Sequence, residues 1–169
     1  HVLLGRQIGS AGAHPDFLWL PTGVSGPRPA GSGEGMALRI VRLGTPRSPD
    51  EGLRLGTVRR LPRGVPKRQY AARDFFDLWL PELAPSAPLV ALARSGAVGP
   101  RQWAVFARRY RREMNAPAAR RLMALVAALS ARTNLSVGCY CEDESRCHRS
   151  ILRDLLREHG AKVTSRRSG

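Results

Sequence analysis

The sequence predicts one α/β domain of three layers, built on a small, mainly parallel, Rossmann-like sheet. Three observations lead there. Short strand-like apolar stretches begin near Leu38, Leu53 and Leu135; apolar stripes at helical spacing fill 99–130 and return after 148; and 169 residues suffice for one core without staples. Strands separated by helices pair in parallel, and such sheets take ligands beyond the carboxyl ends of their strands.

In chain order, residues 1–35 read as a flexible extension or an overextended start. The stretch "PTGVSGPRPAGSGEG" at 21–35 has almost nothing to bury, and "MALRIVRLGTP" from Met36 looks like the start of folded chain. The domain is therefore expected over 36–165, with a basic tail at 166–169. "LRIVRL" at 38–43 and "LRLGTVRRL" at 53–61 alternate apolar and basic residues and predict strands. Prolines 62, 66, 81, 85 and 88 then restrict helix length, so 62–88 is expected to be a packed loop with short helical turns. Within it "ARDFFDLWLPEL" is bulky enough to be core, and Trp79, like Trp103, has apolar neighbours that predict burial.

Trp103, Phe106, Tyr110 and Met114 fall at helical intervals in "GPRQWAVFARRYRREMN", with Arg108, Arg109, Arg111 and Arg112 mostly opposite, which predicts an amphipathic basic helix over 99–115. Pro117 suits the first turn of a second helix, striped by Leu122, Leu125, Val126 and Leu129 and running to Ser130. "NLSVGCY" at 134–140 predicts a strand and "HRSILRDLLREHG" at 148–160 a helix stopped by Gly160; 162–164 is a candidate short strand.

Lys and Arg number 28 against 13 acids, a formal charge of +15; Arg6 and Arg28 cancel Asp16 and Glu34, so the whole excess follows Gly35. Such a surplus favours anionic partners, a nucleic acid or a phosphate-bearing small molecule. The near absence of lysine beside arginine also fits a compositional bias, in which case the charge is a solvated surface. No apolar run approaches the ~20 residues of a membrane span, and the opening residues lack the order of a signal peptide. Three cysteines, an odd number at local spacing, are unlike a disulfide framework and point to a reducing, cytoplasmic compartment.

All three cysteines lie in "CYCEDESRCHR", Cys139 to Arg149. Cys139 and Cys141 share a face of an extended chain, while Cys147 opens a helix, where free N–H groups and the dipole stabilise a thiolate. Arg146 and Arg149 add to that effect, and Glu142, Asp143 and Glu144 oppose it. Three readings follow. In thiol chemistry Cys147 or Cys141 is the nucleophile and His148 a base, with Arg149, Arg60, Arg63 and Arg146 holding an anion. In a metal site, Cys139, Cys141, Cys147 and His148 match the ligand types of Zn²⁺, although their spacing is tighter than in most structural zinc sites. In a nucleic-acid module the helix around Arg108–Arg112 tracks phosphates and the cysteines are incidental. The plainest alternative makes the cysteines small core residues and His148 an exposed helix-start residue. The Cys-x5-Arg loop of tyrosine phosphatases is absent, since Cys141 reaches Cys147 and Cys139 reaches Ser145 at the arginine's place.

Four segments in order, "RRLPRGV" (59–65), "LWLPELAPS" (78–86), "WAVFARRYRREM" (103–114) and "CYCEDESRCHRSIL" (139–152), make the chain resemble the bacterial domain-of-unknown-function 488 family, which includes YeaO-like proteins, over Leu38 to Gly160. The resemblance implies a compact three-layer α/β protein and no established reaction. It also implies that one branch carries the Cys-x-Cys-x5-Cys-His-Arg pattern while another replaces those cysteines, so the scaffold does not require them.

Overall fold

The computed structural model describes residues 37–94 and 99–164, all within one compact unit, Gly33–Gly169. The extension expected at 1–35 and the tail at 166–169 lie outside the described residues. Four strands, β1 (Leu38–Arg42), β2 (Leu53–Gly56), β3 (Leu78–Trp79) and β4 (Leu135–Cys139), form one all-parallel sheet in the order β1-β4-β2-β3. The helices are α1 (Ala87–Arg94), α2 (Pro100–Met114), α3 (Pro117–Ser130) and α4 (His148–Glu158). The α/β fold class is thus as the sequence predicts.

β4 lies between β1 and β2 and all five of its residues are buried, which explains its small or apolar composition, "LSVGC". One face of the sheet, with Leu38, Ile40, Leu55, Leu135 and Val137, packs on apolar residues from all four helices. The α2 stripe supplies Phe106, Tyr110 and Met114, and α4 supplies Ile151, Leu152, Leu155 and Leu156. The helix ends follow local rules. Pro100 and Pro117 occupy first turns, and Gly160, at φ +89°, ends α4 while the Ala161 N–H reaches back to the Leu156 carbonyl.

The other face is covered by connecting segments. Gly56 and Gly138 bring the sheet close enough that a Cβ on either would lie 2.4 Å from Phe76 and Leu43 respectively. Polar side chains on this face are tied into a buried network: Arg54 donates to Glu51 and to the carbonyls of Thr45 and Asp74, and the Ser136 hydroxyl donates to Glu51.

Boundaries differ from the sequence reading where tertiary contacts decide them. The second strand stops at Gly56, not at 61, because the chain turns there to cover the sheet end, with Trp79 Nε1 donating to the Val58 carbonyl. β3 and α1 lie inside or beside the segment expected to be loop. The two short 3-10 turns found there, Lys67–Gln69 and Pro81–Leu83, are of the kind expected. Trp79 is 41 % exposed, not core, since β3 is an edge strand of only two residues; Trp103 is half-buried and stacks on Phe106. The candidate strand at 162–164 is a single bridge, Leu38 to Val163.

Candidate functional site: a three-sulfur cluster at the carboxyl edge

β4 ends at Cys139, the central position of the sheet's carboxyl edge, and the chain passes Cys141 and an acidic loop before α4 begins. Cys147 is the N-cap residue of α4, its backbone extended at φ −120°. The three sulfurs converge from these positions. Cys139 and Cys141 Sγ are 3.7 Å apart, and all three Sγ atoms lie within 4.8 Å of one another. Cys139 and Cys147 are buried against Leu43, Val58, Tyr70 and Phe76, whereas Cys141 is exposed; all three are free thiols. The three cysteines are thus close enough to hold one metal ion.

His148 and Arg149, the first residues of α4, turn inward and are only 6 % and 2 % exposed. His148 Nε2 is 2.8 Å from the Thr57 carbonyl oxygen, which only accepts, so Nε2 carries the proton and Nδ1 is left bare. That Nδ1 lies 3.7 Å from Cys147 Sγ. Burial lowers the imidazole to a pKa of about 4, keeping it neutral at pH 7, and the Tyr110 ring stands edge-on to it at 5.5 Å.

The Arg149 guanidinium donates to the carbonyls of Val41 and Cys141, each at 2.7 Å, and through Nε to Cys147 Sγ at 3.4 Å. One side chain therefore links the end of β1, the Cys141 loop and the α4 cap. Among the described residues no carboxylate forms an ion pair with it. Its positive charge is buried, and the sulfur cluster is the adjacent place for the balancing charge.

Hydrogen bonds from Cys139 and then Cys147, aided by the Arg149 charge, hold the Cys141 thiol far below its ordinary range. Cys139 moves the other way, because it donates to Cys141 and Cys147 and is buried. Cys147 is also raised: its contact with Cys139 acts downward but is outweighed by donation to Cys141, burial and the Cys141 charge. These directions favour negative charge on the exposed sulfur, Cys141, and a proton on the buried Cys139, which donates to it at 3.7 Å.

The acidic loop does not cancel this arrangement. Glu142 pairs with Arg42 at 3.0 Å, Glu144 with Arg153 at 2.7 Å, and Asp143 accepts from the Ser145 N–H and hydroxyl.

The structure brings together Cys139, Cys141, Cys147, His148 and Arg149, five of the residues the sequence nominated. His148 stands behind Cys147 and is not one of the group whose ligand atoms lie within 4.8 Å of one another, which comprises the three thiols. Arg60 and Arg63 are exposed on the segment after β2, where Tyr140 Oη contacts the Arg60 carbonyl, and Arg146 is exposed on the acidic loop. Sequence reasoning missed Thr57 and Val41, whose backbone carbonyls fix His148 and Arg149. A backbone oxygen carries no residue-type signal, so nothing in the sequence marks them.

The family model described as the active DUF488-N3 subclade, DUF488-N3a, matches residues 38–160. Comparison with curated proteins gave no match, and neither did comparison with solved structures. Among the described residues no helix is long and apolar enough to cross a membrane. The match spans more than two thirds of the chain and includes every member of the sulfur cluster: this protein belongs to the DUF488 family.

Proposed function

We propose that the protein acts through an anionic sulfur centre in which Cys141 is the reacting thiolate, directed at an electrophilic, phosphate-bearing substrate at the carboxyl edge of the sheet. The observation that carries this reading is the buried Arg149 guanidinium, which lacks a carboxylate partner and rests on Cys147 beside two further sulfurs. A buried cation needs a counter-charge, and the converged thiols are the group placed to supply it. Cys141 is the one member that a substrate reaches without rearrangement. Cys139 and Cys147 hold it as a thiolate, the neutral His148 stands behind Cys147 with Nδ1 3.7 Å from its sulfur, and the exposed Arg60, Arg63 and Arg146 offer positive charge to a phosphate. The matched subclade is described as active, which agrees with a reactive site.

The test is the pH profile of alkylation by iodoacetamide, followed residue by residue by mass spectrometry. Cys141 is expected to react at a rate nearly flat from pH 8 down to pH 5, and Cys141→Ser to abolish the fast phase. A Cys141 rate that falls tenfold per pH unit below 8, as for an ordinary thiol, would refute the assignment.

The sulfur spacing favours a second reading. Zn–S bonds of ~2.3 Å in a tetrahedron place sulfurs about 3.8 Å apart, and Cys139 and Cys141 already stand at 3.7 Å. Three thiolates on Zn²⁺ would carry one net negative charge, matched by Arg149, with the fourth position open on the Cys141 side. Under this reading stoichiometric Zn²⁺ or Cd²⁺ binds, with a sulfur-to-cadmium absorbance lost in each single cysteine variant, and shields Cys141 from iodoacetamide.

A further inference from the structure

The segment that follows β2 packs one side on the sulfur cluster and shows the other to solvent. Val58 and Tyr70 are buried against Cys139 and Cys147, with Leu61 and Val65 packed on the same cluster. Between them, residues 59–73 carry six cations, Arg59, Arg60, Arg63, Lys67, Arg68 and Arg73, and no acid. The segment is pinned to the scaffold: Arg59 donates to the carbonyls of Pro85 and Ala84, Trp79 Nε1 to that of Val58, and Tyr140 Oη to that of Arg60. The other five cations are exposed or nearly so, and their side chains form no ion pair among the described residues. They are strung along fifteen residues of loop, unlike a cluster converging on one phosphate group.

Trp79 lies against the same segment. Its indole N–H is held by the Val58 carbonyl, yet the residue remains 41 % exposed, which leaves a flat apolar surface open to solvent where the cationic segment begins. A row of cations with an aromatic platform at its edge suits a phosphate backbone bearing unstacked bases.

We propose that the 59–73 segment and Trp79 form a binding surface for single-stranded nucleic acid, whose backbone runs along Arg60, Arg63, Lys67 and Arg68 and one base of which stacks on Trp79. The proposal deepens the thiolate reading and rests on it only for the location of the reacting atom. It gives that site a polymeric substrate class, the phosphate-bearing partner being a strand.

The experiment is fluorescence anisotropy of the full chain with a labelled 15-nucleotide oligothymidine over a range of salt. Binding is expected, and the plot of log K against log salt should flatten by about 2 in Arg60→Gln/Arg63→Gln/Arg68→Gln, from ~0.7 per lost contact to a single strand. Trp79→Ala should weaken binding by about tenfold with an unchanged salt slope, because stacking releases no counterions. The matched triple variant on the outer face of α2, Arg101→Gln/Arg108→Gln/Arg112→Gln, removes the same charge and should leave most of the affinity.

Absence of binding, an equal loss from the α2 variant, or displacement of the oligonucleotide by inorganic phosphate as readily as by unlabelled strand would each overturn the proposal. Duplex bound in preference to the single strand would do the same. Cys141→Ser is expected to bind the oligonucleotide as the parent does. Binding without a reactive Cys141 would therefore reject the thiolate chemistry and keep the surface, and a reactive Cys141 without binding would do the reverse.

Discussion

At the scale of single residues, the site depends on two side chains that a helix start would ordinarily give to solvent. Arg149 makes three contacts from a buried position, so Arg149→Met removes a cation and leaves two carbonyls and the Cys147 sulfur without their donor. A loss of about 3 kcal/mol is expected in urea unfolding, and the alkylation profile of Cys141 should shift to higher pH. Arg149→Lys should retain part of the shift in reactivity and little of the stability, since an ammonium lacks the planar fork. His148 gives a pH signature. Its folded pKa is about 4 against an ordinary 6.5, so as pH falls the unfolded chain takes up the proton first. The stability held by the neutral ring is complete above pH 6.5 and is lost between 6.5 and about 4, on the order of 3 kcal/mol. Comparing urea midpoints at pH 7 and pH 4.5 should show this loss, and His148→Asn should shrink it. That cysteine, histidine and arginine would gather was legible in "CYCEDESRCHR". Their division into one exposed and two buried sulfurs was not, because it depends on Leu43, Val58, Tyr70 and Phe76, brought in from distant parts of the chain.

At the scale of elements, β4 delivers Cys139, and its glycine sets how closely the covering segment approaches. A Cβ at position 138 would meet Leu43 Cδ2 at 2.4 Å and Val41 Cγ2 at 3.1 Å. Gly138→Ala should destabilise by about 1–3 kcal/mol through overpacking, and Leu43→Ala in the same chain should recover part of it, as an unfolding double-mutant cycle would show. α2, α3 and α4 were readable from apolar spacing because their stripes are long and each start is marked, by a proline or by the change after the acidic loop. β3 was hidden because two residues cannot display a period, and α1 because Pro88, which suits a first helical turn, also reads as a breaker. The early end of β2 has a similar origin: "TVRRL" continues the strand alternation, but Thr57 gives its carbonyl to His148 and its hydroxyl to the Gly138 carbonyl.

At the scale of the whole molecule, the sheet face away from the helices is held by ions as well as by apolar contact. Arg54 and Glu51 are 0 % and 3 % exposed, and each spends its remaining hydrogen-bonding capacity on Ser136 or on backbone. Arg54→Met alone strands a buried carboxylate and should cost about 3–5 kcal/mol, whereas Arg54→Met with Glu51→Gln should cost much less, because neither change then leaves a naked charge. Thermal unfolding of the three variants would decide it. The amino-acid sequence by itself determined the α/β class, the order of the long helices and the gathering of three sulfurs before the last helix. These follow from local periodicity and from spacing within a few residues of chain. Tertiary structure alone decided which sulfur faces water, which arginine is buried as a counter-charge, and that the second face of the sheet is closed by loops. Each of those depends on contacts between segments far apart in the chain, and a linear pattern carries no record of the distances at which they meet.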